Sequence, residues 1–304
     1  MRQSTELGVI GLGKMGHDMS RRLLGGGCRV VVFDIDQDKI KALADMGAIG
    51  AESVSDVICK LTQPHAIWLM LPAGEPTDTT IQKLSSELSP GDVIIDGGNS
   101  NYRDSIRHAG DLSKHGIQLM DVGVSGGIRG CSNGYCLMVG GSNKFFKRLE
   151  PIFKILAAPG GYFYAGDSGA GHFVKMVHNG IEYGIMQSYA EGFELLDAKR
   201  EFGFDLAKIA DVWGHGSVIR SWLLELISKA LKRDASLKGI TGRVEESGEG
   251  RWLVKESVDL RVPISVISLS LQVRFRSKQE KPFAERLLAK LRGEFGGHSV
   301  EREP

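Results

Sequence analysis

The string Gly11-Leu12-Gly13-Lys14-Met15-Gly16 constrains the fold of this chain more than any other segment. It ends a short apolar run at residues 7–12 and opens a helical pattern over 14–25. In this strand–turn–helix context, the first glycine permits a tight turn, the second leaves room for a diphosphate, and the third lets helix and strand pack closely. The amides at the helix N-terminus then face the anion. The string therefore predicts a dinucleotide-binding unit.

Asp34 indicates which dinucleotide is bound. It lies 18 residues after Gly16, at the end of the β-branched run VVVFD. A carboxylate at this position accepts hydrogen bonds from a ribose 2′-hydroxyl and repels a 2′-phosphate, and NADP sites usually place an arginine nearby. Residues 35–38 contain no arginine. We expect NAD as the cofactor, with NADP less favoured.

The order of apolar runs and helical patterns predicts the fold class. Strand-like runs alternate with helical segments in the first half, at 7–12, 29–35, 66–71, 92–95, 117–122 and 136–139. Helical periodicity without strand-like breaks follows, at 172–200, 206–232, 253–260, 263–275 and 280–292. The first pattern is typical of a parallel α/β sheet. We therefore predict a doubly wound Rossmann domain over 1–168 and an all-α substrate and dimerisation domain over 169–304.

Charge and composition exclude several classes of function. The net charge is +1, which leaves no basic field to hold nucleic acid. No apolar run approaches the roughly 18 residues of a membrane span, and the N-terminus lacks the pattern of a signal peptide. The four cysteines show no metal-binding spacing, so we expect no metal site. These features predict a cytoplasmic protein. His65, His108 and His115 lie in polar segments, so we expect their side chains to be exposed to solvent.

Glycine-rich segments follow two of the strand-like runs. Residues 96–100 read DGGNS, and residues 121–127 read DVGVSGG. Carboxyl ends of parallel strands face the ligand in such sheets, and consecutive glycines with a serine offer unhindered amides to a carboxylate or phosphate. A tight structural turn is the alternative for each segment.

The helical pattern that begins near residue 172 carries candidate catalytic groups. Lys175, Asn179 and Glu182 stand at i, i+4 and i+7, so they share one helix face. A lysine shielded from water can serve as a general base. A polar surface stripe is the alternative, but the position just after the dinucleotide domain favours chemistry. Gly180 and Gly184 each cost the helix about 1 kcal/mol, which predicts close packing or a ligand there.

Together these motifs resemble the decarboxylating 6-phosphogluconate dehydrogenases of the short NAD-type class, within the β-hydroxyacid dehydrogenase superfamily. The matching strings span most of the chain and read GLGKMG, IDGGNSNYRDS, GVSGG, GHFVKMVHNGIEY and RGEFGGH. The resemblance implies NAD-dependent oxidation and decarboxylation of 6-phosphogluconate to ribulose 5-phosphate. It also implies a place in the pentose phosphate pathway or in gluconate utilisation.

The resemblance also implies the role of each site residue. Lys175 would be the general base and Glu182 the acid, with Asn179 beside them. Substrate-binding residues would be Asn99, Ser125, Gly126, Gly127, His178, Tyr183, Arg251, Arg274, Arg292 and His298. Cofactor-binding residues would be Gly11, Leu12, Gly13, Lys14, Met15, Gly16, Asp34, Leu71, Pro72, Ala73 and Asn99. Arg292 and His298 would reach the substrate from a neighbouring subunit, which predicts a homodimer or homotetramer.

The chain departs from the family pattern where the phosphate would bind. The family's Lys-Trp-Thr segment reads Arg251-Trp252-Leu253 here, so a hydroxyl is lost. A further family arginine could be Arg274 or Arg276, because the spacing does not decide. Two alternatives therefore stay open: a related dehydrogenase acting on a small unphosphorylated 3-hydroxy acid, and a non-catalytic dinucleotide-binding protein. The presence of Lys175 and Asn179 disfavours the second.

Overall fold

The computed structural model describes residues 5–296 and 299–301. The chain forms two compact units, Met1–His178 and Asn179–Pro304. The predicted boundary at 168/169 lies ten residues before this division, which falls within a long helix. No helix formed by the described residues has the length and apolarity needed to cross a membrane.

The first unit is built around one sheet. Its eight strands are β1 Glu6–Ile10, β2 Arg29–Phe33, β3 Ile49–Gly50, β4 Ala66–Leu69, β5 Val93–Asp96, β6 Gln118–Ser125, β7 Tyr135–Gly141 and β8 Ala157–Gly166. The strand order is β3-β2-β1-β4-β5-β6-β7-β8. Strands β1 to β6 run parallel, β7 is antiparallel to β6, and β8 is parallel to β7. The order 3-2-1-4-5-6 is that of a doubly wound Rossmann sheet, as the sequence predicts.

Helices connect these strands and make up the second unit. The helices of the described residues are α1 Lys14–Gly25, α2 Gln37–Ala44, α3 Val54–Lys60, α4 Glu75–Glu87, α5 Tyr102–Ser113, α6 Gly130–Asn133, α7 Asn143–Leu156, α8 Ala170–Ala198, α9 Leu206–Trp213, α10 Trp222–Arg233, α11 Glu249–Asp259, α12 Ser265–Ser277 and α13 Phe283–Gly296. The second unit is helical throughout its described elements, which confirms the predicted fold class.

Both faces of the parallel sheet are covered, which explains why its strands are apolar without a break. Along β5, Val93 and Ile95 belong to one buried cluster and Ile94 to another. Successive side chains of a strand point to opposite faces, so the two clusters lie on opposite sides of the sheet. Burial on both faces requires the continuous apolar runs that identify the strands in the sequence.

Several elements differ from the sequence-based expectation, and the two-residue strand β3 at Ile49–Gly50 is one that no apolar run predicts. The helix predicted at 206–232 is two helices, α9 and α10, because Gly216 adopts φ +80° and the Ser221 side chain caps α10 at the Leu224 amide. Strand β8 is absent from the prediction because it is a half-exposed edge strand that contains Pro159 and lacks an apolar run. The strand predicted at 117–122 extends to Ser125.

Two histidines are buried where the sequence predicts exposure. His65 is 6% exposed, and its Nδ1 lies 2.8 Å from Oδ2 of Asp92. His108 is also 6% exposed, with Nε2 2.7 Å from Oδ1 of Asp78. Asp92, which comes from a distant segment, makes burial of the His65 ring tolerable, and sequence context alone does not show this pairing. The short contact of His108 with Asp78 does not have the geometry of a hydrogen bond. His115 is exposed, as predicted.

Tyr135 offers a stability test of this fold. Its side chain is fully buried, and its hydroxyl has no hydrogen-bond partner among the described residues. Since a buried unpaired hydroxyl costs about 1–3 kcal/mol, Tyr135→Phe should raise the free energy of unfolding by about 1 kcal/mol in urea denaturation. Tyr164→Phe is the matched control, because the Tyr164 hydroxyl donates to the Gly141 carbonyl at 2.8 Å, and its loss should destabilise. A less stable Tyr135→Phe variant would contradict the assignment.

Candidate active site

The glycine fingerprint takes the geometry that a diphosphate site needs. Gly11 has φ +93°, and a Cβ there would lie 2.5 Å from the Met70 carbonyl oxygen. A Cβ on Gly16 would lie 2.0 Å from the Gly11 carbonyl oxygen, so this glycine lets α1 pack on the turn. A Cβ on Gly13 would meet no atom within 4 Å. The first and third glycines are therefore required by the fold, and the second borders open space.

The N-terminus of α1 is suited to an anion. Gly13 is its N-cap residue, no side chain caps it, and its first turn holds no acidic residue. Its amides are therefore available to a diphosphate, which the helix dipole also favours. Gly13 and the amides of Lys14, Met15 and Gly16 fit the cofactor on these grounds.

Asp34 is held in place by the fingerprint turn itself. Leu12 N donates to its Oδ2 at 2.6 Å, and Asp36 N donates to its Oδ1 at 2.9 Å. Burial acts to raise the pKa of Asp34, but these amides and Lys39 outweigh it and hold the pKa below its ordinary value. Asp34 is therefore an oriented carboxylate anion at the end of β2, as a ribose-binding acid must be.

Lys39 is a residue that sequence reasoning missed. Its Nζ lies 3.5 Å from Oδ1 of Asp34 and 3.5 Å from Oδ2 of Asp36. The spacing could have revealed it, because Asp36 caps α2 and a residue three positions later returns to the cap. A positive charge thus lies beside Asp34, the predicted ribose-binding residue, although residues 35–38 carry none.

The ends of β4 and β5 lie next to the fingerprint. The side chain of Leu71 borders Gly11 and its carbonyl borders Gly98, so Leu71 lies between the two glycine segments. After β5, Asp96 Oδ1 accepts a hydrogen bond from Gly98 N at 3.0 Å. Asn99 follows and is exposed. The structure thus brings Leu71 and the segment before Asn99 to the edge that holds Gly11.

Strand β6 determines where α8 starts. Asp121, which is fully buried, accepts from Gly169 N at 2.7 Å and from His172 N at 2.9 Å. Two residues on, a Cβ at Gly123 would lie 2.4 Å from Cβ of Lys175. Alternate residues of a strand share a face, so Asp121, Gly123 and Ser125 form one row along which the first turns of α8 lie.

This row brings three polar side chains together. The Ser125 hydroxyl lies 3.2 Å from Nε2 of His178, and His178 Nδ1 lies 3.5 Å from Nζ of Lys175. All three side chains are partly buried. The arrangement places a cationic or basic amine, an imidazole and a hydroxyl next to one another, which is suited to holding an acid and moving a proton.

The segment 121–127 is therefore not the loop that its glycines suggest. Residues 121–125 belong to β6, and only Gly126 and Gly127, with φ +131° and +48°, form the turn. Asp121 and Gly123 are site-building residues that sequence reasoning missed. Their alternation with apolar Val122 and Val124 is the signal that could have indicated a strand.

Two of the predicted phosphate-binding residues of the second unit, Tyr183 and Arg274, are in contact. Tyr183 is 8% exposed, and the guanidinium carbon of Arg274 lies 3.4 Å from the centre of its ring. Burial raises the pKa of the Tyr183 hydroxyl above its ordinary value. Arg274, not Arg276, is thus the arginine at Tyr183, because Arg276 pairs with Gln279 and Glu285.

Arg251 is paired with an acid in this structure. Its Nη2 lies 2.6 Å from Oε1 of Glu246, whose side chain is 6% exposed.

Gly180 lies against the side chain of Leu253, since a Cβ at Gly180 would lie 2.0 Å from Leu253 Cδ2. Of the two reasons expected for a glycine in this helix, close packing therefore accounts for Gly180.

The remaining predicted residues lie on α8, on α13 or outside the described part of the chain. Asn179 and Glu182 lie on α8 and share its face with Lys175. Arg292 lies on α13 and is exposed. His298 lies outside the described residues. Within residues 5–296 and 299–301, no three His, Cys, Asp or Glu side chains group as metal ligands.

Family models match both units of the chain. Residues 6–167 match the NAD binding domain of 6-phosphogluconate dehydrogenase, and residues 171–298 match the C-terminal domain of that enzyme. The chain belongs to the 6-phosphogluconate dehydrogenase family. This membership confirms the resemblance drawn from the motifs and makes the chain a dinucleotide-binding oxidoreductase.

Individual members of this family resemble the chain over most of its length. An NAD(+)-dependent, decarboxylating 6-phosphogluconate dehydrogenase of Haloferax volcanii is 44% identical over 98% of this chain and 99% of its own. One of Bacillus subtilis is 35% identical over 93% of this chain but only 64% of its own.

Solved structures agree on the fold. A 6-phosphogluconate dehydrogenase of Plasmodium falciparum superimposes with a TM-score of 0.83 at 27% identity, covering 98% of this chain and 66% of its own. A 3-hydroxyisobutyrate dehydrogenase of Mycobacterium tuberculosis superimposes with a TM-score of 0.73 at 21% identity, covering 90% and 94%, and shows the shared fold alone.

The open space at Gly13 separates cofactor binding from folding. Gly13→Ala should leave the melting temperature unchanged, because the added methyl meets no protein atom, yet weaken NAD binding by about tenfold or more by occupying the diphosphate's space. Calorimetric titration measures the affinity. Gly16→Ala is the comparison and should destabilise the fold. Unchanged NAD affinity in Gly13→Ala would remove the diphosphate from this position.

The contact between Gly123 and Lys175 predicts a loss of activity. Gly123→Ala should push Lys175 and α8 away from β6, and displacement by about 1 Å can lower kcat by about 100-fold. Steady-state kinetics and thermal melting measure the effect. Gly110→Ala is the control, because a Cβ there meets no atom within 4 Å. Wild-type kcat in Gly123→Ala would show that this contact does not position the lysine.

Proposed function

We propose that this chain catalyses the NAD-dependent oxidative decarboxylation of 6-phospho-D-gluconate to ribulose 5-phosphate, CO₂ and NADH. The contacts among Ser125, His178 and Lys175 carry the proposal, because they place an amine beside acid-binding groups on the unit that holds the dinucleotide fingerprint. The name of the Haloferax relative supports the same reaction.

The residues have distinct roles in this reaction. Lys175 takes the proton of the substrate's 3-hydroxyl. A bound nicotinamide would supply the acceptor for the hydride of C3. The Lys175 ammonium then polarises the 3-keto oxygen while the bond between C1 and C2 breaks and CO₂ leaves. Glu182 gives a proton to the resulting enediol carbon. Ser125, Gly126, Gly127 and Asn99 hold the carboxylate and hydroxyls, with His178 and Asn179.

NAD is the proposed cofactor, and Asp34 supports this choice. Its carboxylate is oriented by Leu12 and Asp36 at the end of β2, where a 2′-phosphate would meet negative charge. The Plasmodium relative is described with NADP+, whereas the Haloferax relative is named NAD(+)-dependent. Lys39 reduces the repulsion, so both cofactors belong in the assay.

Phosphate recognition is proposed for Tyr183, Arg251 and Arg274. The two guanidinium groups suit a phosphate, which accepts paired N–H donors. Arg251 would exchange Glu246 for the phosphate, and Arg274 stacked on Tyr183 is already oriented.

A dehydrogenase of small unphosphorylated 3-hydroxy acids is the second candidate. The pairing of Arg251 with Glu246 favours it, because that charge is neutralised within the chain. The leucine at 253 favours it too, since no hydroxyl is offered there.

The domain roles and the assembly are also proposals. Residues 1–168 would bind the dinucleotide, and 169–304 would complete the substrate site and associate as a homodimer or homotetramer. Large apolar side chains that are more than half exposed in the second unit support association and include Val258 70%, Val266 65%, Leu269 61% and Phe283 70%. Arg292 and His298 would act on a partner's substrate. A role in the pentose phosphate pathway or gluconate utilisation stays a prediction.

A substrate and cofactor panel tests the proposed function. The kcat/KM for 6-phosphogluconate with NAD should exceed that for gluconate by about 100-fold, since two charged contacts to phosphate are lost. It should exceed the value with NADP by about tenfold because of repulsion at Asp34. NADH or NADPH absorbance measures both. Preference for gluconate or 3-hydroxyisobutyrate would favour the second candidate.

Mixing two inactive variants tests whether Arg292 acts across subunits. Lys175→Met should bind NAD but not turn over, and Arg292→Ala should lose most activity. Subunits denatured and refolded together in equal amounts should recover about a quarter of wild-type activity, because mixed dimers contain one intact site. Each variant refolded alone is the control. No recovery, or a fully active monomer in sedimentation, would contradict the shared site.

A further inference from the structure

A buried polar contact joins the helix after Asn99 to the helix that carries Lys175. The Ser105 hydroxyl of α5 lies 2.7 Å from Nδ1 of His172 in the first turn of α8. Ser105 is 0% exposed and His172 is 1% exposed. Neither residue belongs to the proposed catalytic or ligand-binding set.

The surroundings of this contact fix both helices. The rings of Tyr102 and Phe173 meet edge to face at 5.2 Å, and they stand three residues before Ser105 and one residue after His172. A Cβ on Gly169 would lie 2.7 Å from the Ile106 side chain, so the backbone before α8 lies directly on α5. The N-terminal turns of α5 and α8 are therefore in contact over a continuous patch.

Each helix positions one reacting region. Helix α5 begins immediately after Asn99 and Ser100, and its N-cap Asn101 accepts from Arg103 N at 2.9 Å. Helix α8 carries Lys175 in its second turn. Asp121 holds the His172 amide from β6, so the same residue is fixed by its backbone to the sheet and by its ring to α5.

We infer that Ser105 and His172 are positioning residues that set the location of Asn99 relative to Lys175, and this inference rests on the proposed function. The hydrogen bond is directional, and its loss would leave buried polar atoms unpaired. Packing between Tyr102 and Phe173 resists separation but permits sliding, whereas the hydrogen bond defines one register. Asn99 and Lys175 thereby face the same substrate with a fixed spacing.

Four variants separate positioning from a general effect on folding. Ser105→Ala and His172→Gln remove the contact, since a glutamine amide reaches the place of Nε2 and not of Nδ1. His172→Asn retains a polar atom near the position of Nδ1. Ser113→Ala is the control on the same helix, where an exposed hydroxyl donates to the Gly110 carbonyl at 2.8 Å.

The expected signature is kinetic. In Ser105→Ala and His172→Gln, kcat with 6-phosphogluconate should fall about tenfold or more, while the KM for NAD changes by less than about twofold. The primary deuterium isotope effect with substrate deuterated at C3 should rise, because hydride transfer becomes slower than the other steps. His172→Asn should recover most of the loss, and Ser113→Ala should match the wild type.

Unchanged kcat and isotope effect in both Ser105→Ala and His172→Gln, measured below their melting temperatures, would overturn the inference even if stability falls. An equal loss in Ser113→Ala would also overturn it. If the wild type does not oxidise 6-phosphogluconate, the proposed function fails, and amide hydrogen exchange over residues 170–176 decides the inference instead. Faster exchange in Ser105→Ala than in Ser113→Ala supports the contact, and equal exchange refutes it.

Discussion

The packing of helix α8 along strand β6 is the constraint on which the rest of the site depends. Asp121 fixes the first amides of α8, and the missing side chain of Gly123 admits Lys175. Ser125 then meets His178 at the end of the same row. The contacts of Asp121, Gly123 and Ser125 fall at His172, Lys175 and His178, so each two residues of the strand accompany three residues of the helix. Lys175, the proposed catalytic lysine, is therefore positioned by the sheet of the dinucleotide-binding unit.

The glycines around the site differ in the physical reason that excludes a side chain. At Gly11 and Gly16 a side chain would collide with backbone, whereas at Gly13 it would enter open space that the protein does not fill. Gly123 and Gly180 admit side chains, Lys175 in one case and Leu253 in the other. The open space at Gly13 leaves room for a ligand beside the N-terminus of α1. The others show how closely the elements that surround the ligand approach one another.

Much of this was predictable because it depends on local patterns. The fingerprint of Gly11 to Gly16 with Asp34, the doubly wound sheet and the long helix with Lys175 all follow from spacing and periodicity. The rest depends on contacts between distant segments. Asp92 pairs with the buried His65, and Lys39 pairs with Asp34. Asp121 binds the first amides of a helix that begins 49 residues later in the chain. A resemblance to known enzymes supplied the proposed reacting residues, but it gave no reason for Asp121 or Gly123, whose roles become visible only once β6 and α8 are adjacent.

The ratio of CO₂ released to NADH formed from 6-phosphogluconate tests the central claim most directly. A lysine ammonium that remains beside the 3-keto oxygen after oxidation should make decarboxylation follow every hydride transfer. One CO₂ is therefore expected for each NADH throughout the reaction. NADH without CO₂, or accumulation of a 3-keto acid, would contradict this claim, because Ser125, His178 and Lys175 would then support oxidation alone.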